Sequence, residues 1–493
     1  MRRPSILAVG AAIALVSVSC SRPAGTLEAA EETLAAANVK SIEYSGTGKW
    51  FQFGQAPSPT LPWPPFDVSS FKATIDYDTP SALVEIVRKQ TLEPPRVRPV
   101  PVEQRAAQAV SGTSAWNVAP PAGAAPGTAP VPQPQPAAAV EERTMEIWST
   151  PQGFLRAART NNATSEPANG GSTVTFTAGG KKYVGSIDAQ SRVEKVQTWI
   201  DTPVLGDTLV ETVFSDYKDF AGVMFPGRIV RTQGSHPVLD ITVSDVKLNP
   251  TVAISVPDQV KSAAAPATAV NVQKLADGVY YLTGAQAHTI AVDQSDHIVA
   301  IEAPASEARS QAVIAKIKET IPNKPIRYVI NSHVHFDHSG GLRTYVDEGA
   351  TVVTHQINKP YYEQAWAAPR TLNPDRLAQS KKAATFEVVT DKHVLTDKNR
   401  NIEVHQIAAS GHNDGFLMVY LPKEKILIEG DAFTPGAADA PPPAVPSPYA
   451  VNLHDNITRL KLDVRSIAAL HGPRVATLAD LRNAIGWKPN TTN

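Results

Sequence analysis

Asn331-Ser332-His333-Val334-His335-Phe336-Asp337-His338-Ser339-Gly340-Gly341 follows directly on an apolar run, Tyr328-Val329-Ile330, that reads as a buried strand. Three imidazoles and a carboxylate fall between His333 and His338. Neutral imidazole and carboxylate are the donors that suit zinc and its neighbours, and so dense a polar cluster is costly to bury without a cation. The stretch reads as a metal site at the end of a strand.

Side chains alternate along an extended segment, which puts His333, His335 and Asp337 on one side and turns His338 away. One loop then serves two ions. His333 and His335 hold the first, Asp337 and His338 the second, and Ser339-Gly340-Gly341 supplies a tight turn. Three later segments each offer one more donor beside glycine at the end of an apolar run: Ser410-Gly411-His412-Asn413-Asp414-Gly415, Ile428-Glu429-Gly430-Asp431 and Leu470-His471-Gly472. His412 completes the first shell and His471 the second. Asp431 is placed to bridge both.

The order His-x-His-x-Asp-His, then His, Asp and His, resembles the metallo-β-lactamase fold superfamily over roughly residues 271–493. Gly411 to Tyr420, followed by Lys425 to Asp431, resembles that family's hairpin carrying the third histidine and the bridging aspartate. Asn413 departs from the pattern, since many members have Thr or Ser there. The resemblance implies an αββα sandwich with the ligand loops along one sheet edge. It also implies two divalent metal ions, zinc by expectation, with iron or manganese the alternatives found in some relatives. The implied chemistry is hydrolysis by a hydroxide bridging the two ions, with Asp337 as the catalytic carboxylate that orients it.

Within the family, the cysteine-containing antibiotic-degrading subclass has a thiolate where Asp431 stands. The glutathione-thioester hydrolases carry a substantial helical domain after the last ligand, where residues 472–493 stand here. The expected reaction is therefore cleavage of an ester, lactone, thioester or amide in a small-molecule substrate. Glu302, at the end of an apolar strand where the family often has a carboxylate, is expected to accept the free ring N–H of a ligand histidine. Pro441-Pro442-Pro443 through Tyr449 reads as pocket rim. Tyr361, Tyr362 and Trp366 read either as the other wall or as helix-face packing. His355, His393, His405 and His454 fall outside the ligand pattern and read as surface or core histidines, His454 being the one that lies between Asp431 and His471.

The chain has 493 residues, 42% apolar and 19% charged, which suits two or three globular domains. A formal net charge of −1 offers no basic footprint for nucleic acid. Arg2-Arg3, an apolar run from Ile6 to Val18 and Ser19-Cys20 read as an export segment over residues 1–20. Cys20 is the one cysteine, so no intramolecular disulfide is expected, and its position suggests lipid acylation at the membrane surface. Ser17 departs from the aliphatic residue usual three places before an acylated cysteine and equally suits ordinary cleavage. The expected location is the periplasm or cell envelope, with secretion the alternative. No run in the mature chain approaches the length of a transmembrane helix.

Residues 26–257 read as an antiparallel β-rich domain. Phe71 to Tyr77, Thr173 to Thr177, Arg192 to Ile200 and Val238 to Val243 alternate apolar and polar, and a helical pattern at Leu27 to Val39 precedes them. A leading helix before a string of such strands faintly resembles the half-barrels of periplasmic lipoprotein carriers, beside the plainer reading of a scaffold or docking domain. Proline and alanine crowd residues 93–140, which reads as a flexible insert, and 258–270 reads as a linker. The fold class expected is α+β: a β-rich domain, half-barrel in the bolder reading, followed by the αββα metal domain at 271–493. The alternative function is an envelope binding or relay protein whose β-rich domain carries a hydrophobic ligand.

Overall fold

The computed structural model describes residues 24–120, 128–263, 269–284 and 287–488. The export segment and Cys20 lie outside the described residues, as does 264–268 of the expected linker. Thirteen strands form one antiparallel sheet at the N-terminal side. It runs from Val131–Pro134 at one edge through Ser81–Gln90, Pro65–Asp76 and Ser41–Phe51 to the long His236–Leu248. From there it continues through Gly206–Ser215, Val193–Thr202 and Gly171–Ala178 to Thr164–Ala168. The alternation read at Arg192 to Ile200 is a cause of this layer: in Val193–Thr202 every second residue from Val196 to Thr202 is buried.

The inner face of the sheet closes on two helices, Ala137–Trp148 and Pro151–Thr160. Met145, Ile147, Phe154 and Leu155 share one apolar cluster with Phe71, Ile75, Phe176, Val196, Phe214 and Ile241, which come from strands spread across the sheet. The second helix starts as its sequence dictates, with the Thr150 side chain accepting from Gly153 N and proline in the first turn. Gly185 is glycine because Phe154 lies against it: a Cβ there would stand 2.2 Å from the ring. Gly185→Ala is expected to destabilise the protein by about 1–3 kcal/mol, read as a lower urea midpoint. An unchanged midpoint would mean that the helix pair does not fill the sheet.

Two expectations need correction. Residues 93–140 are not an unstructured insert. Glu103–Ser111 pairs onto Ser81–Gln90 and Ser114–Ala119 onto Glu103–Ser111, both in register, and the helix Ala137–Trp148 begins inside the segment. The prolines outside residues 121–127 flank these strands or sit in Val131–Pro134, an edge strand that tolerates them because, among the described residues, no further strand pairs with its outer side. Residues 121–127 lie outside the described residues. The expected linker opens with a helical turn, Asp258–Lys261, whose Val260 is buried against Ala109 and Trp116. The leading helix is shorter than its pattern, ending at Thr33. Ala35 is left-handed, and the chain then buries Leu34, Ala36 and Val39 together.

The C-terminal side is two sheets face to face. Seven strands run from Asn271–Ala276 to Phe386–Val389, and six from Lys392–Thr396 to Ala476–Thr477. Between the sheets Ile290, Val299 and Val353 meet Ile402, Val419 and Ile428. Outside the first sheet pack Val313, Ile314 and Ile317 of the helix Glu307–Thr320, capped by Ser306. Outside the second pack Leu453 and Ile457 of Pro448–Arg459. This is an αββα sandwich in an α+β chain. Ile298–Ile301 is buried on both faces, as its unbroken apolar run requires.

Candidate metal centre

The strand Ile326–Ile330 delivers the histidine loop, and Asn331 fixes its departure. Its carbonyl oxygen accepts from Tyr362 Oη at 2.6 Å, and its amide donates to Glu302 Oε1 at 3.1 Å and His333 O at 2.8 Å. The loop is extended only as far as His335. From Phe336 to Ser339 it turns into a short helix, so Asp337 and His338 project from a helical turn rather than from alternating extended positions. The division into two pairs is the one the spacing suggested, reached by different local geometry.

All seven expected donors are brought together. His333 Nε2, His335 Nδ1 and His412 Nε2 lie 3.5, 3.8 and 2.9 Å from Asp431 Oδ2. His338 Nε2 and His471 Nε2 lie 2.9 and 3.0 Å from Asp431 Oδ1, and each is 3.5 Å from Asp337 Oδ2. Two sets of four ligand atoms thus share one carboxylate. Each set comes from the histidine loop and from strand ends behind it, Ile426–Glu429 for Asp431 and Ser466–Ala469 for His471.

The donors fit cations better than they fit each other. His412 Nε2 faces His333 Nε2 at 3.2 Å, and His471 Nε2 faces His338 Nε2 at 2.9 Å, so each pair of nitrogens holds at most one proton between them. His335 Nδ1 is buried without a hydrogen bond. A cation in each set would engage all of these lone pairs, and the nitrogen and oxygen donors suit zinc.

The field of the metal-free cluster has the same character. Burial opposes the charge on Asp431, but His338 and His412 outweigh it and hold the carboxyl well below its usual range. Asp337 is lowered likewise, burial being overcome by His471 and His338. Burial pushes the His335 imidazole down to about 4, and Asp431 only partly offsets it. His471 goes the other way, to about 10, because the carboxylates of Asp337 and Asp431 overcome its burial.

Outer atoms of the ligands are also held. His338 Nδ1 donates to Glu302 Oε2 at 2.9 Å, the role expected of that carboxylate, and Ser332 Oγ bonds both Glu302 and His333 Nδ1. Glu302 is fully buried and has φ 80°, a left-handed conformation that side chains rarely adopt. The remaining outer contacts come from the N-terminal sheet and had no signal in the sequence. Ala56 O receives His335 Nε2 at 3.0 Å, and Gln55 Nε2 donates to Asp337 Oδ1 at 2.8 Å.

Beside Asp431 opens a cavity of about 290 Å³ walled by Phe433, Pro441, Pro442, Pro443, Ser447 and Arg474. The proline loop is rim, as read. Tyr362 is fully buried beneath the histidine loop, with Trp366 stacked on it, so this aromatic group is packing rather than wall. His454 lies against Trp487 and Arg482, His393 beside Glu387 and His405 beside Glu403; none joins either donor set, and neither does His355.

Residues 304–475 match the family described as the metallo-beta-lactamase superfamily. A curated relative, the 2,4-dinitroanisole O-demethylase subunit alpha of Nocardioides sp. (strain JS1661), is 20% identical over 163 residues, 32% of this chain. The match spans 44% of that relative's length. Among solved structures, the metallo-beta-lactamase from Pontibacter korlensis is 18% identical, with a TM-score of 0.34 over 44% of this chain and 98% of that one. FIM-1 from Pseudomonas aeruginosa, in its mono-zinc form, is 16% identical, with a TM-score of 0.35 over 44% of this chain and 93% of that one.

Proposed function

With its residues 304–475 in the metallo-β-lactamase superfamily, we propose that this chain is a dinuclear metal-dependent hydrolase of small-molecule esters, lactones, thioesters or amides. The observation that carries the reading is the sharing of Asp431 between two otherwise separate donor sets. His333, His335, His412 and Asp431 Oδ2 would hold one ion, and Asp337, His338, His471 and Asp431 Oδ1 the other. When bound, divalent ions supply Lewis acidity and lower the pKa of coordinated water; zinc is the ion this donor set favours, with iron or manganese the alternatives.

The chain's own residues do the rest. Asp337, whose side chain is 39% exposed against 16% for Asp431, is the more exposed of the two carboxylates in the donor sets. It orients the attacking water. His333 and His338 are fully buried, which keeps bulk water from the inner side of the centre. Phe433 and the proline rim offer an apolar wall to the body of the substrate. An envelope location, free or anchored through Cys20, belongs to the same proposal and is checked by fractionating cells that express the full chain.

The test is turnover of a chromogenic panel of ester, lactone, thioester, amide and β-lactam, with 2,4-dinitroanisole added because of the similarity to the O-demethylase subunit. At least one member should be hydrolysed, with activity lost on chelation and restored by zinc. Turnover indifferent to chelation would overturn the reading.

A second reading, carriage of a hydrophobic ligand, has one observation in its favour. A cavity of about 220 Å³ opens inside the N-terminal sheet among Tyr44, Phe71, Ile75, Ile86 and Leu239, with Glu142 and Arg231 at a polar end. Co-purification of an apolar molecule with the chain, released on denaturation, is its signature.

A further inference from the structure

The metal centre of this chain is built by two domains. The loop between Ser41–Phe51 and Pro65–Asp76 of the N-terminal sheet lies on the histidine loop. Gly54 O accepts from Phe336 N at 3.1 Å, and a Cβ on Gly54 would stand 2.7 Å from the Phe336 ring. Phe53 and Trp63 pack edge-on against that ring, at 5.3 and 5.7 Å between centroids. Phe336 sits between His335 and Asp337, so this contact grips the ligand loop between two of its donors.

The polar contacts are directed at those same donors. Ala56 O takes the outer nitrogen of His335, which fixes the tautomer with Nδ1 turned inward. Ala56 O also accepts from Asn413 Nδ2 at 3.1 Å. Asn413 is the position where the sequence departs from the Thr or Ser of many family members, and its amide is spent on the second domain. The loop is anchored besides by Asp414 N on Pro57 O at 2.9 Å and by the Arg96–Asp414 ion pair at 2.8 Å.

We infer that Gln55, from the N-terminal domain, is a positioning residue of the metal centre that holds Asp337 for the second ion. This rests on the dinuclear reading above. Asp337 Oδ2 faces His338 and His471, and its Oδ1 receives the Gln55 amide at 2.8 Å. A carboxylate with one oxygen so held cannot rotate away from the donor set without giving up that bond. Asp337 belongs to one set only, so loss of the Gln55 donor falls on one ion.

The test compares zinc binding by the full chain, depleted and then titrated against a chromogenic chelator, with that of Gln55→Met and Gln55→Ala. Thr60→Ala, at an exposed position of the same loop, is the control. Gln55→Met keeps chain length and volume while removing the donor, so it carries the test should the alanine variant unfold. The first ion is expected to bind as in the parent and the second about 10- to 100-fold more weakly, the usual cost of losing an outer-shell partner. In the cobalt-substituted protein, the variant should lose the spectral component of one site and keep that of the other. Two ions bound as in the parent, or both weakened equally, would overturn the inference while leaving the dinuclear reading in place. A parent that binds no metal would overturn both.

Discussion

Asp431→Ala is expected to release both metal ions and to lower turnover by about 10³-fold or more, the scale of losing the electrostatic centre of a reaction. The reason lies in the two oxygens. Oδ2 is 2.9 Å from His412 Nε2, and Oδ1 is 2.9 and 3.0 Å from His338 and His471 Nε2, and among the described residues no other side chain belongs to both sets. Removal leaves three nitrogens on one side and two nitrogens with one carboxylate on the other, without the charge that joins them. Asp431→Asn separates charge from shape: it fills the same space, and the account expects it to lose metal nearly as completely as alanine. Far-UV circular dichroism shows whether the fold is kept, and elemental analysis reads the metal. A variant that retained two ions would show that the carboxylate is not shared.

Glu302→Ala should be the most destabilising single change near the site, by about 3–5 kcal/mol, the range for breaking a buried charged pair. Glu302 is fully buried and collects Asn331 Nδ2, Ser332 Oγ and His338 Nδ1. Each donor left without a partner costs about 1–3 kcal/mol. Asn331 in turn holds Tyr362, so the loss spreads from the second donor set into the core beneath the loop. Urea unfolding of the metal-free protein isolates this cost from metal affinity, which should fall about 10- to 100-fold as a separate effect. Glu302→Gln keeps an acceptor for two of the donors and should lie between alanine and the parent. An unfolding midpoint unmoved by alanine would mean that the loop is held by its strand ends alone.

The C-terminal half was legible because its information is local. The seven donors announce themselves as residue types at strand ends, and strands such as Ile298–Ile301, buried on both faces, read as continuous apolar runs. The N-terminal sheet was legible where one face is buried, as in Val193–Thr202. It was not legible at Glu103–Ser111, whose Glu-Gln-Arg-Ala-Ala-Gln-Ala-Val-Ser has no alternation until Val110. That segment becomes a strand by pairing with Ser81–Gln90, a tertiary cause that local propensity does not carry. The helix at Pro151–Thr160 was not read despite its signature, Thr150 before Pro151.

Gln55 marks the outer limit of sequence reading. Gly54-Gln55-Ala56-Pro57 carries no ligand pattern of its own, and its chemistry arises from a contact across 282 residues of chain. The N-terminal domain acquires a role from that contact. It is tied to the metal domain a second time, where Arg370 donates to Val204 O at 2.8 Å and Asp207 accepts from Thr371 N at 2.8 Å. Two separate anchors restrict rocking of one domain on the other, which keeps Gln55 and Ala56 against the ligands they hold.

The measurement that tests the central claim most directly is anomalous diffraction from crystals of the metal-replete protein, collected above the zinc, iron and manganese edges. The account predicts two peaks, one bounded by His333, His335 and His412, the other by Asp337, His338 and His471, with Asp431 between them. A single peak, or peaks away from Asp431, would contradict it.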